Sequence, residues 1–333
     1  MIATGPVGRR RAFARGLAAA LSASLVLAGC ATIPREREPG PEVKPAASDA
    51  QIGAVLERYA QVRRTAASLL DPKPLSTVES DAVLLIDTGS FELTQRLGGA
   101  QPAAQGAPRP RETATPRFGE YPLWFMVEVP DAVSGVNRVQ VFERERASDP
   151  WFLVASPETV ASTTLPELRR RDGHALAIAP DSATGMAMSA QDAADAYAAA
   201  LMPDGPDAGA ATSIEDDDFL AQMRAAAQQN AALEGVDFSQ SWSARPVQHV
   251  LRTADGGVLA FVTLERVDTY TVQQEGRQVA WPEGSPQRAF LGGAVTDTAT
   301  LTYLHQLLVH VPGGEARPRA LGQYGGVVDA DGT

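Results

Sequence analysis

Two places in the sequence could carry chemistry: a lone cysteine near the start, and a histidine with a neighbouring tyrosine near the end. Cys30 is the only cysteine among the 333 residues, and it directly follows Leu27, Ala28 and Gly29. Small residues before a cysteine fit a signal-peptidase cleft, and the cysteine thiol is the nucleophile that accepts a diacylglycerol group. The spacing therefore predicts lipidation at Cys30.

The residues before Cys30 have the composition of an export signal. Residues 16–28 form an apolar run, and four arginines precede it, at positions 9, 10, 11 and 15. The run is shorter than the roughly 20 apolar residues of a transmembrane helix, so it is typical of a signal peptide. We predict that residues 1–29 are a lipoprotein signal peptide ending in a segment that resembles the bacterial lipobox. The mature protein would then be attached by palmitate-like acyl chains to the extracytoplasmic face of the cell membrane.

Two export routes fit the basic segment before the apolar run. Arg10 and Arg11 resemble a twin-arginine motif, but Arg9 stands where that motif usually has Ser or Thr. The general secretion route fits the same basic segment.

The second place is His305, on a strand predicted at Leu301–Val311, where it shares the apolar face with Tyr303. A neutral histidine that lines a concavity can act as a general base. His305 with Tyr303 is therefore the candidate catalytic or ligand-binding pair of a pocket in the second domain. The alternative is a core histidine hydrogen-bonded to a neighbour, and the same alternative applies to His249.

The absence of several well-known motifs excludes the classes of site that depend on them. The sequence has no glycine-rich phosphate loop, no Gly-x-Ser-x-Gly elbow and no His-Glu-x-x-His helix. His305 and His310 are five residues apart, so on a strand they point to opposite faces. We therefore expect no cofactor and no metal, and we favour a non-enzymatic protein over an enzyme.

The charge argues against nucleic acid as a partner. The net charge is −11, and removal of the four arginines in residues 1–29 makes the mature chain more acidic still. A nucleic-acid-binding protein needs a basic patch to displace counterions from phosphates. The net negative charge is concentrated after residue 180, where 20 acidic residues stand against 8 basic ones, and anionic headgroups would repel that half from the membrane. This charge suggests an envelope protein of basic character as a partner, and simple solubility is the alternative explanation.

Composition and periodicity predict an α+β protein with a tether and two domains. Four prolines within residues 30–48 predict a flexible tether. The domain at 49–180 begins with a helix capped by Ser48 and continues with four strands, at Val83–Ile86, Tyr121–Val129, Val139–Arg144 and Trp151–Ala155. We expect its helix to pack on a bent antiparallel sheet.

The domain at 185–328 repeats this order of elements. Helices capped at Ser189 and opened by the acidic residues 215–218 precede the strands. The strands are predicted at Pro246–Thr253, Val258–Val272 and Leu301–Val311, with an edge strand at Leu321–Val328. We expect a second bent sheet here, again with helices on one face.

The chain resembles an uncharacterised family of actinobacterial lipoproteins that is classed as a domain of unknown function. The resemblance covers most of residues 50–310 and rests on four stretches: 58–63 leading to 70–71, 121–125, 141–143 with 151–154, and the helix of Tyr197. The order of helices and strands is also similar to nuclear-transport-factor-2-like (NTF2-like) domains. The family brings no established activity, so it implies the lipoprotein and the two domains only.

These observations predict a membrane-anchored extracytoplasmic lipoprotein that serves as an adaptor or binding module of the cell envelope. The alternative is a hydrolase or a small-ligand binder that uses the pocket around His305 and Tyr303. An open pocket with converging polar groups would favour the alternative.

Overall fold

A computed structural model describes residues 43–101, 109–131, 134–202, 213–274 and 276–333. The predicted signal peptide, Cys30 and the first part of the predicted tether lie outside the described residues. Residues 43–333 form one compact unit of mixed helix and sheet, so the α+β class is confirmed.

The described ranges contain five α-helices, four of which begin at a side-chain cap. The five helices are α1 (Asp49–Leu69), α2 (Asp81–Arg96), α3 (Ala190–Ala200), α4 (Asp218–Ala231) and α5 (Pro286–Leu291). Ser48 and Gln51 form the predicted capping box of α1, in which the backbone N–H of Ser48 donates to Oε1 of Gln51 at 2.9 Å. Ser189 caps α3 in the same way, and the Asp217 carboxylate caps α4.

The strands of the first half are β1 (Lys44–Pro45), β2 (Glu112–Ala114), β3 (Arg117–Phe118), β4 (Leu123–Asp131), β5 (Val136–Arg144), β6 (Phe152–Ala155), β7 (Glu158–Val160), β8 (Arg170–Arg171) and β9 (His174–Ala175). The strands of the second half are β10 (Val236–Ala244), β11 (Val250–Arg252), β12 (Val258–Val272), β13 (Thr298–Val311) and β14 (Arg319–Gly332).

One antiparallel sheet of ten strands runs through both halves, in the order β10-β12-β13-β14-β7-β5-β4-β2, with β11 on β12 and β6 on β5. The prediction of a separate sheet in each of the segments 49–180 and 185–328 is therefore wrong. The two segments remain visible in the strand order, because the strands of each stay together. They join where Gln323 of β14 pairs with Glu158 of β7. Alternating patterns predict strands but carry no information on which strands become neighbours, so the junction was missed.

The sheet bends so that the two halves share a core. Trp124 and Met126 of β4 pack in one cluster with Leu259 and Phe261 of β12. The opposite face of β4 packs under α1, and the opposite face of β12 packs under α3 and α4. A core built from both halves explains why residues 43–333 behave as one unit.

Three local predictions need correction. Val83–Ile86 is not a strand but part of α2, because a short apolar run cannot distinguish a strand from a buried helical turn. The predicted tether ends too late, since Lys44 pairs with Phe118 and the next two alanines, Ala46 and Ala47, are buried. The strand predicted at the sheet edge, Leu321–Val328, belongs to β14, which lies inside the sheet.

Helix α2 fastens the first half to β14 of the second half. The Tyr324 hydroxyl donates to Asp87 of α2, and Asp87 also accepts from both terminal nitrogens of Arg63 on α1. Arg63 lies 3.2 Å from Oε1 of Glu79 as well. Burial would raise the pKa of Asp87, but its bonds with Arg63 and Tyr324 outweigh burial and lower it. Burial and the charge of Asp87 raise the pKa of Glu79 well above its usual range, so Asp87 carries the charge that Arg63 needs.

The crossing of α2 over β14 requires a glycine. A Cβ on Gly89 would lie 2.1 Å from the backbone oxygen of Val327, so α2 would have to move away from the sheet. We expect Gly89→Ala to lower the free energy of unfolding by about 1–3 kcal/mol in a urea titration. Gly53→Ala in α1 is the control, since no atom lies within 4 Å of its Cβ. It should stabilise the protein by about 0.5–1 kcal/mol through helix propensity. Equal effects of the two substitutions would contradict this account of the crossing.

Candidate functional site

The two histidines singled out in the second half have different surroundings. His249 is the one that contacts the first half. Its Nε2 atom lies 2.6 Å from Oε2 of Glu143 on β5, and both side chains are only 7% exposed. The Trp124 ring meets the His249 ring edge-on, with 5.2 Å between the centroids. Burial would raise the pKa of Glu143, but the hydrogen bond from His249 outweighs it and lowers that pKa. The interpretation of His249 as a buried, hydrogen-bonded histidine is therefore confirmed.

His305 is packed among aromatic rings. The centroids of Trp242, Phe219 and Tyr303 lie 5.2, 5.7 and 6.2 Å from that of His305. Nε2 of His305 is buried and has no hydrogen-bond partner within the described residues. His305 is therefore buried, as the alternative interpretation predicts, but its Nε2 atom does not make the hydrogen bond to a neighbour that this interpretation also predicts.

The electrostatics of His305 do not favour general-base chemistry. Burial, together with the charge of Arg266, lowers the pKa of His305 to about 3, so the ring is neutral at physiological pH. A base of such low pKa has little driving force to accept a proton near neutral pH. His305 and Tyr303 also line none of the four best-defined cavities among the described residues.

A buried ion pair lies beside His305 and was not predicted from the sequence. Arg266 lies against the Tyr303 ring, with its guanidinium carbon 3.6 Å from the ring centroid, and pairs with Asp268 at 3.0 Å. Gln240 donates to Asp268 at 2.8 Å, and Trp242 donates to Gln240 at 2.7 Å. The available signal was the polar pair Arg266 and Asp268 at i, i+2 on the face of β12 that also carries Leu264. This chain of contacts explains how charges are tolerated under α4.

The largest of these four cavities lies elsewhere, in a cleft where both halves meet. Its volume is about 760 Å³, within the range of small-molecule sites. The segment 163–170 forms one wall, and backbone hydrogen bonds fix this wall to β11 and the following turn, at 2.8 Å from Arg169 to Arg252 and 2.7 Å from Ala254 to Glu167. Its apolar lining comprises the fully buried Met126 of β4 and Leu259 of β12, together with Leu165, Pro166, Leu168 and Ala254. We call this cavity the interhalf cleft.

Charged side chains of both signs line the interhalf cleft. They are Arg111, Glu112, Glu128, Glu167, Arg169 and Arg170. Glu128 is the most buried of them, at 5% exposure, and its partner Arg111 lies 3.4 Å away with a half-exposed side chain. Burial raises the pKa of Glu128, and the charge of Arg111 opposes the rise. Glu112 is paired with Arg170.

Sequence reasoning missed this cleft, although one signal was present. In the strand predicted at Tyr121–Val129, Glu128 lies opposite the alternating apolar face, and it shares its own face with the large apolar side chains of Trp124 and Met126. A carboxylate on a buried strand face marks a site that needs a cation. The other walls come from residues far apart in sequence, so no local pattern could bring them together.

The remaining predicted features concern the anchor and metals. Cys30, the predicted lipidation site, lies outside the described residues. None of the helices in the described ranges is both long enough and apolar enough to cross a bilayer. In the part of the chain that the structure describes, no group of three metal-ligating side chains is placed to hold an ion.

Comparison with known proteins gives one match. A family model described as a domain of unknown function (DUF8094) matches residues 43–332, and the chain belongs to that family. The match spans both halves, in agreement with the shared sheet and core. Neither a curated protein nor a solved structure matches the chain.

Proposed function

We propose that this member of the DUF8094 family is a lipid-anchored, non-enzymatic binding module of the bacterial cell envelope, which takes up a small polar ligand in the interhalf cleft. The observation that carries the proposal is the cleft itself. It combines a volume of about 760 Å³, an apolar part and side chains of both charges. Few apolar cavities with convergent polar groups occur in one protein, and they are usually where ligands bind.

The anchor rests on the sequence of the export signal. Cys30 follows Leu27-Ala28-Gly29, and an apolar run with basic residues precedes it. Residues 31–42 would then connect the lipid to β1, which begins at Lys44. This arrangement would keep residues 43–333 on the extracytoplasmic side of the membrane.

The finer family resemblance is part of the proposal. Helices α3 and α4 on a bent antiparallel sheet support an NTF2-like arrangement in the second half. The continuous ten-stranded sheet argues against two independent domains of that kind. An actinobacterial envelope lipoprotein remains the proposed setting.

The rival function, a hydrolase built on His305 and Tyr303, receives less support. The neutral, buried His305 ring lies outside the four cavities, whereas the charged cleft is open to solvent. The envelope-adaptor function is compatible with the cleft if the ligand is part of a partner protein.

The anchor is tested by Cys30→Ser. The wild-type protein should incorporate labelled palmitate in cells and partition with membranes, because an acyl chain contributes about 0.8 kcal/mol per buried methylene. Cys30→Ser should take up no label and should no longer be processed at residue 29. Ala31→Ser is the control and should behave like the wild type. Lipid-free wild-type protein in the membrane fraction would contradict the anchor.

The cleft is tested by Ala254→Trp, because Ala254 is exposed and lines the cavity. A thermal-shift screen of polar metabolites and short peptides should yield ligands that raise the melting temperature of the wild-type protein. Their effect should disappear in Ala254→Trp, in which the indole fills the cleft. Ala232→Trp at the exposed end of α4 is the control and should keep the effect. Ligands that stabilise both variants equally, or a screen without ligands, would contradict binding in the cleft.

A further inference from the structure

The interhalf cleft contains two carboxylates that face each other across neighbouring strands. Glu112 of β2 pairs directly with Glu128 of β4, and the next pair on the same face is Ala114 with Met126. Directly opposed side chains have Cβ atoms about 5 Å apart, and like charges in this position destabilise a sheet. Two glutamates at one such pair therefore create a local demand for positive charge inside the cleft.

The two arginines that pair with these glutamates differ in how many acceptors hold their side chains. Arg170 pairs with Glu112 and also donates to the backbone oxygen of Thr113 at 2.9 Å. Arg111 reaches Glu128 only at 3.4 Å, and its side chain is 52% exposed. With the backbone oxygen of Gly173 at 3.3 Å, the Arg170 side chain is thus held by three acceptors, whereas the Arg111 side chain makes one long contact. Glu128 is consequently a buried carboxylate whose one ion-pair partner within the described residues, Arg111, is half exposed and lies 3.4 Å away.

We propose that the interhalf cleft recognises a primary ammonium group, which Glu128 binds with Glu112 beside it. This inference rests on the proposed binding function and names the chemistry of its ligand. The ammonium displaces Arg111 from Glu128 and donates hydrogen bonds to the carboxylate, while the rest of the ligand lies along the partly exposed Leu165 and Pro166. Charge-assisted hydrogen bonds of this kind are the strongest polar contacts available in a partly buried site.

An organic ammonium fits the site better than a metal ion. Calcium takes six to eight oxygen ligands and magnesium demands a near-octahedral shell. Within the described residues, the two glutamates belong to no group of three or more ligating side chains arranged around an ion. The apolar lining residues Leu165 and Pro166 suit the carbon chain next to an ammonium group and not the water shell of an ion.

The test uses trialanine, which has a free amino terminus, and N-acetyl-trialanine, which lacks it, with the full-length protein in detergent. Calorimetry should show that acetylation weakens binding by about tenfold or more, the loss expected for a charge-assisted hydrogen bond. Glu128→Gln should remove the preference for the free amine. Glu120→Gln is the matched control, because Glu120 is exposed and does not line the cleft.

Arg111→Ala separates ligand recognition from a structural role of the pair. If Arg111 competes with the ligand for Glu128, this substitution tightens trialanine binding several-fold. A purely structural ion pair predicts weaker binding instead. Since Glu128 binds the cation only when ionised and its pKa is raised, the affinity should increase as the pH rises through the titration of Glu128.

Three results would overturn the inference, and each has a different implication for whether the cleft binds ligands at all. Equal binding of the two peptides, abolished by Ala254→Trp, would exclude the ammonium site and retain the cleft as a binding site. Binding that survives Ala254→Trp would exclude both. The absence of trialanine binding to the wild type would exclude the ammonium site, while the ligand screen would still decide on the cleft.

Discussion

Arg63 lies where α1, α2 and β14 meet, and the way the two halves of the chain come together depends on its ion pair with Asp87. Asp87 accepts hydrogen bonds from Arg63 and from Tyr324, so one carboxylate links both helices of the first half to a strand of the second. Arg138 extends the contact, because it stacks over Tyr324 at 5.7 Å and pairs with Glu158 at 2.7 Å. Glu158 is also the residue through which β7 joins β14. A buried charge is tolerated only when it is paired, so these groups must assemble together.

The shared sheet and core determine where the cleft forms. Once β14 is held against α2 and β7, the sheet bends and brings β4 close to β12. The wall at 163–170 is then fixed by backbone bonds to residues 252 and 254, and the space between this wall and β4 is the interhalf cleft. The cleft therefore depends on the junction, although no residue of the Arg63 network lines it.

Sequence patterns predicted much of the fold and little of the site. The capping boxes at Ser48 and Ser189 and the strand at Val258–Val272 were correct because each depends on residues close in sequence. The joining of the two sheets was missed because it depends on one strand pairing and on buried ions such as Arg63 with Asp87. The candidate site at His305 was chosen for its residue type, but burial leaves that ring neutral, while Glu128 needed partners from distant segments to form a cleft.

A double-mutant cycle on Glu79 and Asp87 tests the central claim that an anion beside Arg63 fastens the two halves. Because Glu79 can ionise when Asp87 is removed, Asp87→Asn alone should be partly compensated, and Glu79→Gln alone should cost less than about 1 kcal/mol. The double variant leaves Arg63 without either anion, so its loss of unfolding free energy should exceed the sum of the single losses by about 1 kcal/mol or more. Strictly additive losses in urea unfolding would contradict the claim.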